Sequence, residues 1–171
     1  MPIVVEDGTG LPTANAYASE DDFDTYTEDR GYAVVVGDTE AALIRGTAAL
    51  ESMYGLRWPG ERTHGRDQGL GWPRTGATDI DDNAILDDEI PIEVIEATIE
   101  LALRELASPG STMPDLARGG TVRRVRAGSV EVEYAANAIP TTTFTLIDGI
   151  LQPLIGSTSH GGLSSGFTTR G

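Results

Sequence analysis

Ala41-Ala-Leu-Ile-Arg-Gly-Thr-Ala-Ala-Leu-Glu-Ser-Met-Tyr54 runs directly into Gly55-Leu-Arg-Trp-Pro-Gly-Glu-Arg-Thr63 and Gln68-Gly-Leu-Gly-Trp-Pro-Arg-Thr-Gly76. The first part has helical spacing. Leu43, Thr47, Leu50 and Tyr54 recur at steps of three and four, with Ile44, Ala48 and Ala49 beside them, so a wide apolar stripe asks to be buried. Asp38 or Thr39 can cap its start, and Gly55 can end it in a left-handed conformation. The second part has neither a helical nor a strand period. It reads as a loop of some twenty residues that holds both tryptophans, each followed by proline. A long structureless loop in a compact domain is functional or well packed. Tryptophan is costly to leave in water, so both rings are expected to dock on the helices or on a partner. Each proline biases its tryptophan toward extended backbone. Arg45, Arg57, Arg62, Arg66 and Arg74 punctuate the region. One reading is a loop folded back over a helical core. The other is a contact surface, because Trp and Arg anchor interfaces. Arg57, Trp58, Arg62, Trp72 and Arg74 are the candidates for either role, a subunit interface or a core loop.

Upstream, Gly8, Gly10 and Pro12 keep residues 1–18 extended. Ser19-Glu-Asp-Asp22 is a capping box with aspartate in the glutamate's place, which opens a helix with Phe23 and Tyr26 toward the core and Arg30-Gly31 as its stop. Tyr32 to Val36 reads as a short packed apolar linker. Downstream, Asp79, Asp81, Asp82 and Asn83 suggest calcium, but the EF-hand pattern needs a central glycine and a bidentate glutamate, and no glycine occurs from 77 to 107. A solvated acidic turn is the reading adopted. Pro91 suits the first position of a helix whose stripe is Ile92, Ile95, Ile99, Ala102, Leu103 and Leu106. Glu93, Glu96 and Glu100 are placed on its outer face, and Glu100–Arg104 is a favourable i,i+4 pair.

Arg118 to Arg126 and Ser129 to Tyr134 flank Ala127-Gly128, a hairpin signal in which Arg123, Arg124 and Arg126 oppose Glu131 and Glu133. Phe144, Ile147, Leu151 and Leu154 share one side of a last helix limited by Pro153. From Gly156 the chain is glycine- and serine-rich and reads as a free tail with Leu163 and Phe167 as apolar anchors. The expected fold is therefore mainly α. It is a small antiparallel bundle with helices near 19–30, 39–55, 91–107 and 143–155, a β-hairpin near 121–134 and an extended C-terminal tail. Residues 1–155 form the domain and 156–171 the tail.

Composition narrows the function. The 171 residues carry a net charge of −15, and all twelve cations are arginine. Residues 1–40 hold ten acids against Arg30, and residues 76–107 ten against Arg104. Such a field repels nucleic acid at long range. With no cysteine and only His64 and His160, zinc and thiolate chemistry are not expected. No phosphate loop, nucleophile elbow or His-Glu-x-x-His occurs, so no catalytic residue, metal site or cofactor is expected and the chain reads as a non-enzyme. No basic leader and no apolar run of membrane-spanning length are present, which gives the expectation of a cytosolic product without a membrane partner.

The Ala-Leu-Ile-Arg helix, the Arg-Trp-x-Gly that follows, and Gln-x-Leu-x-Trp-Pro-Arg-x-Gly resemble the head–tail adaptor (head-completion) proteins of tailed bacteriophages. That group is often labelled DnaT-like single-stranded-DNA-binding protein. The resemblance runs from Ala14-Asn-Ala-Tyr17 to about Ile155, leaving 1–13 and 156–171 outside it. It implies a helix bundle with a β-hairpin insertion, assembled as a twelve-membered ring in the virion neck after making its way through the host cytoplasm. The implied partners are the portal ring, other copies of the chain, and a head-closure, stopper or tail protein. Double-stranded DNA would pass through the channel without specific recognition. The tail, with His160, Leu163, Phe167 and Arg170, would dock onto the portal. The label itself implies the alternative, single-stranded-DNA binding by the Arg/Trp loop 57–74, since such sites pair a basic groove with stacking aromatics.

Overall fold

The computed structural model describes residues 2–33, 36–113, 124–127, 130–133 and 144–156. Among them are four helices and two short antiparallel ribbons: α1 (Glu20–Asp29), α2 (Thr39–Tyr54), β1 (Glu61–Arg62), β2 (Arg74–Thr75), α3 (Ile92–Ala107), β3 (Arg124–Ala127), β4 (Val130–Glu133) and α4 (Thr145–Ile155). The fold is mainly α, as the periodicity implied.

The helix starts follow local chemistry. Ser19 and Asp22 form the full capping box of α1. Asp38 accepts the Ala41 N–H at the start of α2, satisfying a donor that the first turn leaves open. Two boundary expectations are corrected. Pro91 is the residue before α3 rather than its first, with ψ 140. Gly55 is right-handed, φ −54 and ψ −30, because the chain continues into another turn closed by Arg57 N–H donating to the Tyr54 carbonyl. The linker after α1 is also corrected: Val36 is 93% exposed. Tyr32 holds its place differently, stacking on Tyr26 with ring centroids 6.4 Å apart.

The core has two adjoining parts. In the larger, Ala49, Leu50 and Tyr54 of α2, Val94, Ala97 and Leu101 of α3, and Ile147, Leu151 and Leu154 of α4 meet both tryptophans. In the smaller, Phe23 and Tyr26 of α1 rest on Ala42, Leu43, Ile99 and Ala102. The buried face of α3 is centred on Val94, Thr98, Leu101 and Glu105. That is one step round from the expected stripe, and Ile92 at its edge is 60% exposed.

Gly46 explains how closely α2 and α3 approach. A Cβ there would stand 2.9 Å from the Thr98 carbonyl oxygen and 3.0 Å from the Ala102 nitrogen. Gly→Ala inside a helix ordinarily gains about 1 kcal/mol. At Gly46 we expect the opposite sign, a loss of about 1–3 kcal/mol from forcing two backbones apart. Urea unfolding of Gly46→Ala checks this, and a stabilised variant would contradict the packing.

The β3–β4 ribbon places Arg124 opposite Glu133 and Arg126 opposite Glu131. This is the opposition of charges that the sequence implied. Arg123, Tyr134 and the tail residues His160, Leu163, Phe167 and Arg170 lie outside the described residues. No helix among the described residues is long and apolar enough to cross a membrane.

Candidate functional site

The loop between α2 and the acidic turn closes on itself. Glu61 pairs with Thr75 and Arg62 with Arg74, so residues expected to be structureless begin and end in a two-residue ribbon. Trp72, inside this closure, is fully buried, and Trp58, just before it, is 6% exposed. Their rings meet edge to face with centroids 6.1 Å apart, and Trp58 leans on Tyr54 at 6.3 Å. Among the described residues neither buried indole N–H finds an acceptor, and the contacts seen at the rings are packing contacts. Of the two readings of this loop, the folded-back core loop is the one that describes its tryptophans.

Polar contacts fix the loop's path. The Trp72 backbone N–H donates to the Tyr17 hydroxyl at 3.0 Å, and that hydroxyl donates to the Glu51 carboxylate of α2. Burial, then Glu51, holds the Tyr17 phenol well above its usual pKa, so it remains a donor. The Gln68 amide nitrogen donates to the carbonyls of Leu70 at 2.9 Å and Pro73 at 3.0 Å. Arg74 donates to three backbone carbonyls, those of Pro59, Gly71 at 3.0 Å and Gly60 at 2.6 Å. Burial and the neighbouring Arg62 lower its pKa. Its guanidinium is a clasp for the loop and has few donors left for a ligand. Gly71 lets the strap lie against Glu51, since a Cβ there would stand 2.6 Å from the carboxylate.

The other loop cations make no such clasp. Arg62 and Arg66 are exposed, and the Arg57 guanidinium sits 5.3 Å over the Tyr54 ring. None of the three has a carboxylate within ion-pair distance among the described residues. Thus the five named candidates divide. Trp58 and Trp72 are built into the core, the half-buried Arg74 clasps the loop, the half-buried Arg57 leans on Tyr54, and Arg62 is exposed.

Three carboxylates, Glu6, Glu100 and Glu105, are buried where the sequence reading has no buried acid. Glu100, placed there on an outer face, is 3% exposed. It accepts from the Tyr26 hydroxyl at 3.0 Å, the Tyr32 hydroxyl at 2.6 Å and Arg104 at 3.0 Å. It ties α1 and the following linker to α3, and the expected i,i+4 pair is one part of that network. Arg30 strengthens it, 3.6 Å over the Tyr26 ring and 2.8 Å from Glu96. Glu105 is 1% exposed. It accepts from Arg45 at 2.9 Å, from the Gly110 N–H at 2.8 Å, and from the N–H and hydroxyl of Thr112. The spacing 94, 98, 101, 105 would have placed it on the buried face.

The acidic turn is a backbone device. Asp79 accepts from the N–H groups of Asp81 and Asn83 and from the Asn83 amide, all within 2.9 Å. Those bonds lower its pKa. No group of three or more metal-type side chains converges among the described residues.

A family model described as "Putative DnaT-like ssDNA binding protein" matches residues 1–171. The chain belongs to this family. The match includes 1–13 and 156–171, so the ends that the resemblance left out are part of the family's sequence pattern. No curated protein and no solved structure matches the chain. The family's description names single-stranded DNA, and the loop that sequence alone offers for such binding keeps both its aromatic rings inside the fold.

Proposed function

We propose that the chain is a structural virion protein, the adaptor ring of a head–tail connector. It would sit between the portal and the head-closure or tail protein and surround the channel through which DNA leaves. No catalytic step belongs to this role. The observation that carries it is the burial of Trp58 and Trp72 together with the Arg74 clasp. A single-strand site gains about 1–3 kcal/mol per base from exposed stacking rings, and this loop offers none. The net charge of −15 suits a channel wall that lets a polyanion slide past without gripping it. The tail residues His160, Leu163, Phe167 and Arg170 would dock on the portal, and Arg57 and Arg62 would face a neighbouring subunit.

The second reading is single-stranded-DNA binding, favoured by the family description and by the exposed Arg62 and Arg66 with the half-buried Arg57 beside them. One pair of measurements separates the two. Sedimentation with portal rings from the same genome is expected to give about one copy per portal subunit, the stoichiometry of a closed ring. Fluorescence anisotropy with an oligo-dT strand is expected to show only weak binding at low salt. Absence of portal association, together with tight salt-dependent oligo-dT binding that the triple variant R57A/R62A/R66A abolishes, would overturn the adaptor role.

A further inference from the structure

Opposite charges are left over at two places in the helical domain. The exposed acids of α1, Glu20, Asp21, Asp22, Asp24, Glu28 and Asp29, have no arginine within ion-pair distance among the described residues. Arg57, Arg62 and Arg66 have no carboxylate by the same measure, and Arg62 stands directly opposite Arg74 in the β1–β2 ribbon. Like charges opposed across a ribbon repel, and an acid from outside relieves them.

Each place also carries apolar surface. Leu56, directly before Arg57, is fully exposed. Between α1 and α3 lies a groove of about 230 Å³. Its floor is Tyr26, Ile92, Ile95 and Ile99, and Asp22 and Asp29 stand on its rim. Arg30, the cation in its lining, is already bound to Glu96 at 2.8 Å. The groove is therefore apolar beneath and net acidic above, with room for a branched aliphatic side chain. Leu56, being fully exposed, does not enter the groove of its own chain.

We propose that the α1–α3 groove receives Leu56 of a second copy of this chain, with that copy's Arg57 and Arg62 against Asp22 and Asp29. A chain of net charge −15 repels its own copies in most orientations. This orientation sets the unpaired cations of one copy on the unpaired acids of the next, which selects it over the others. Burial of Leu56 on the isoleucines supplies the affinity, and the rim pairs supply direction more than energy. No residue of the loop lines the groove, so the two surfaces are separate. The contact is thus heterologous: a pair of copies keeps one free groove and one free loop, and addition continues until the chain of copies closes. It deepens the adaptor reading by naming what the loop meets on a neighbouring subunit, and it rests on that reading only for closure into a ring at the portal. The pairwise contact belongs to the isolated chain.

The test is cross-linking without portal. The chain contains no cysteine, so introduced thiols are the only ones present. Full-length Ser52→Cys places a thiol one turn from Leu56, and a size-tagged full-length Thr25→Cys places one at the groove. Both positions are exposed, so neither change opens the core. The two proteins are mixed at micromolar concentration and treated with a short bis-maleimide. Thiols held in one complex meet at a millimolar effective concentration, so the mixed product is expected at least about tenfold above that obtained when Leu56→Asp is added to the Ser52→Cys copy. Leu56 touches nothing in its own fold, so that variant keeps the thermal midpoint of its parent. The yield is also expected to fall as salt rises from about 0.05 to 0.5 M. No mixed product, or a product that Leu56→Asp leaves unchanged, would overturn the contact. A yield indifferent to salt would overturn the charge pairing that selects it. A predominance of Ser52→Cys joined to itself would overturn it too, by assigning the loop to a symmetric contact. Failure here is separable from failure of portal association, which is measured on the unaltered protein and tests the adaptor role.

Discussion

Trp72→Ala is expected to lower the unfolding midpoint by roughly 10 °C, the largest effect of any single change in the loop. The residue is fully buried, and it meets Trp58 edge to face in the centre of the main core. Removing a buried tryptophan costs about 3–5 kcal/mol, the transfer energy plus that of the cavity left behind. For a domain of this size each kcal/mol moves the midpoint by about 2–4 °C. An anchor displayed for a partner would behave otherwise, because exposed substitutions change stability by less than about 0.5 kcal/mol. Arg66→Ala, at an exposed position of the same loop, is the control and is expected to stay within that limit. Thermal unfolding followed by circular dichroism decides the matter. A Trp72→Ala midpoint within 2 °C of the parent would mean that the ring is not part of the core. The loop would then regain its claim to be a binding surface.

That contrast also marks how far local sequence carried. The stripe Leu43, Thr47, Leu50 and Tyr54 was legible because α2 is buried along one continuous face. That both tryptophans dock is legible from their size, whereas the choice between the helices and a partner is not. The role of Arg74 was not: its three acceptors are main-chain carbonyls brought round by the β1–β2 closure, and carbonyls leave no mark in a sequence. Helical spacing places Ile92 in the core because it begins an isoleucine series. The face of α3 that meets α2 is instead set by the close approach at Gly46, and this turns Ile92 outward. Local pattern places Glu100 in solvent because it shares a face with Glu93 and Glu96. Its partners Tyr26 and Tyr32 lie 74 and 68 residues away, beyond any local pattern. Composition points to the surface for carboxylates as a class, and only tertiary contacts identify those that are buried with partners.

Glu105→Gln should show the converse, a carboxylate whose removal costs stability and whose charge sets an acid limit. Burial alone would raise its pKa, but the Gly110 N–H, the hydroxyl and N–H of Thr112, and Arg45 together bring it down to about 2 from an ordinary 4.5. A folded pKa below the unfolded one means that the stabilisation is complete above about 4.5 and is lost as the pH falls toward about 2. Arg45 is 43% exposed and partly screened, so the contribution at neutral pH is put at about 2 kcal/mol. Glutamine keeps the size and one acceptor but loses the charge that four donors address. The unfolding free energy from urea denaturation at pH 7 should therefore fall by about that amount in Glu105→Gln, and the gap to the parent should narrow by roughly half or more at pH 3. A gap that is constant with pH would show that Glu105 acts by shape alone. The location gives the result its structural meaning. Glu105 gathers the turn at 108–112, so its ionisation holds that turn against the end of α3.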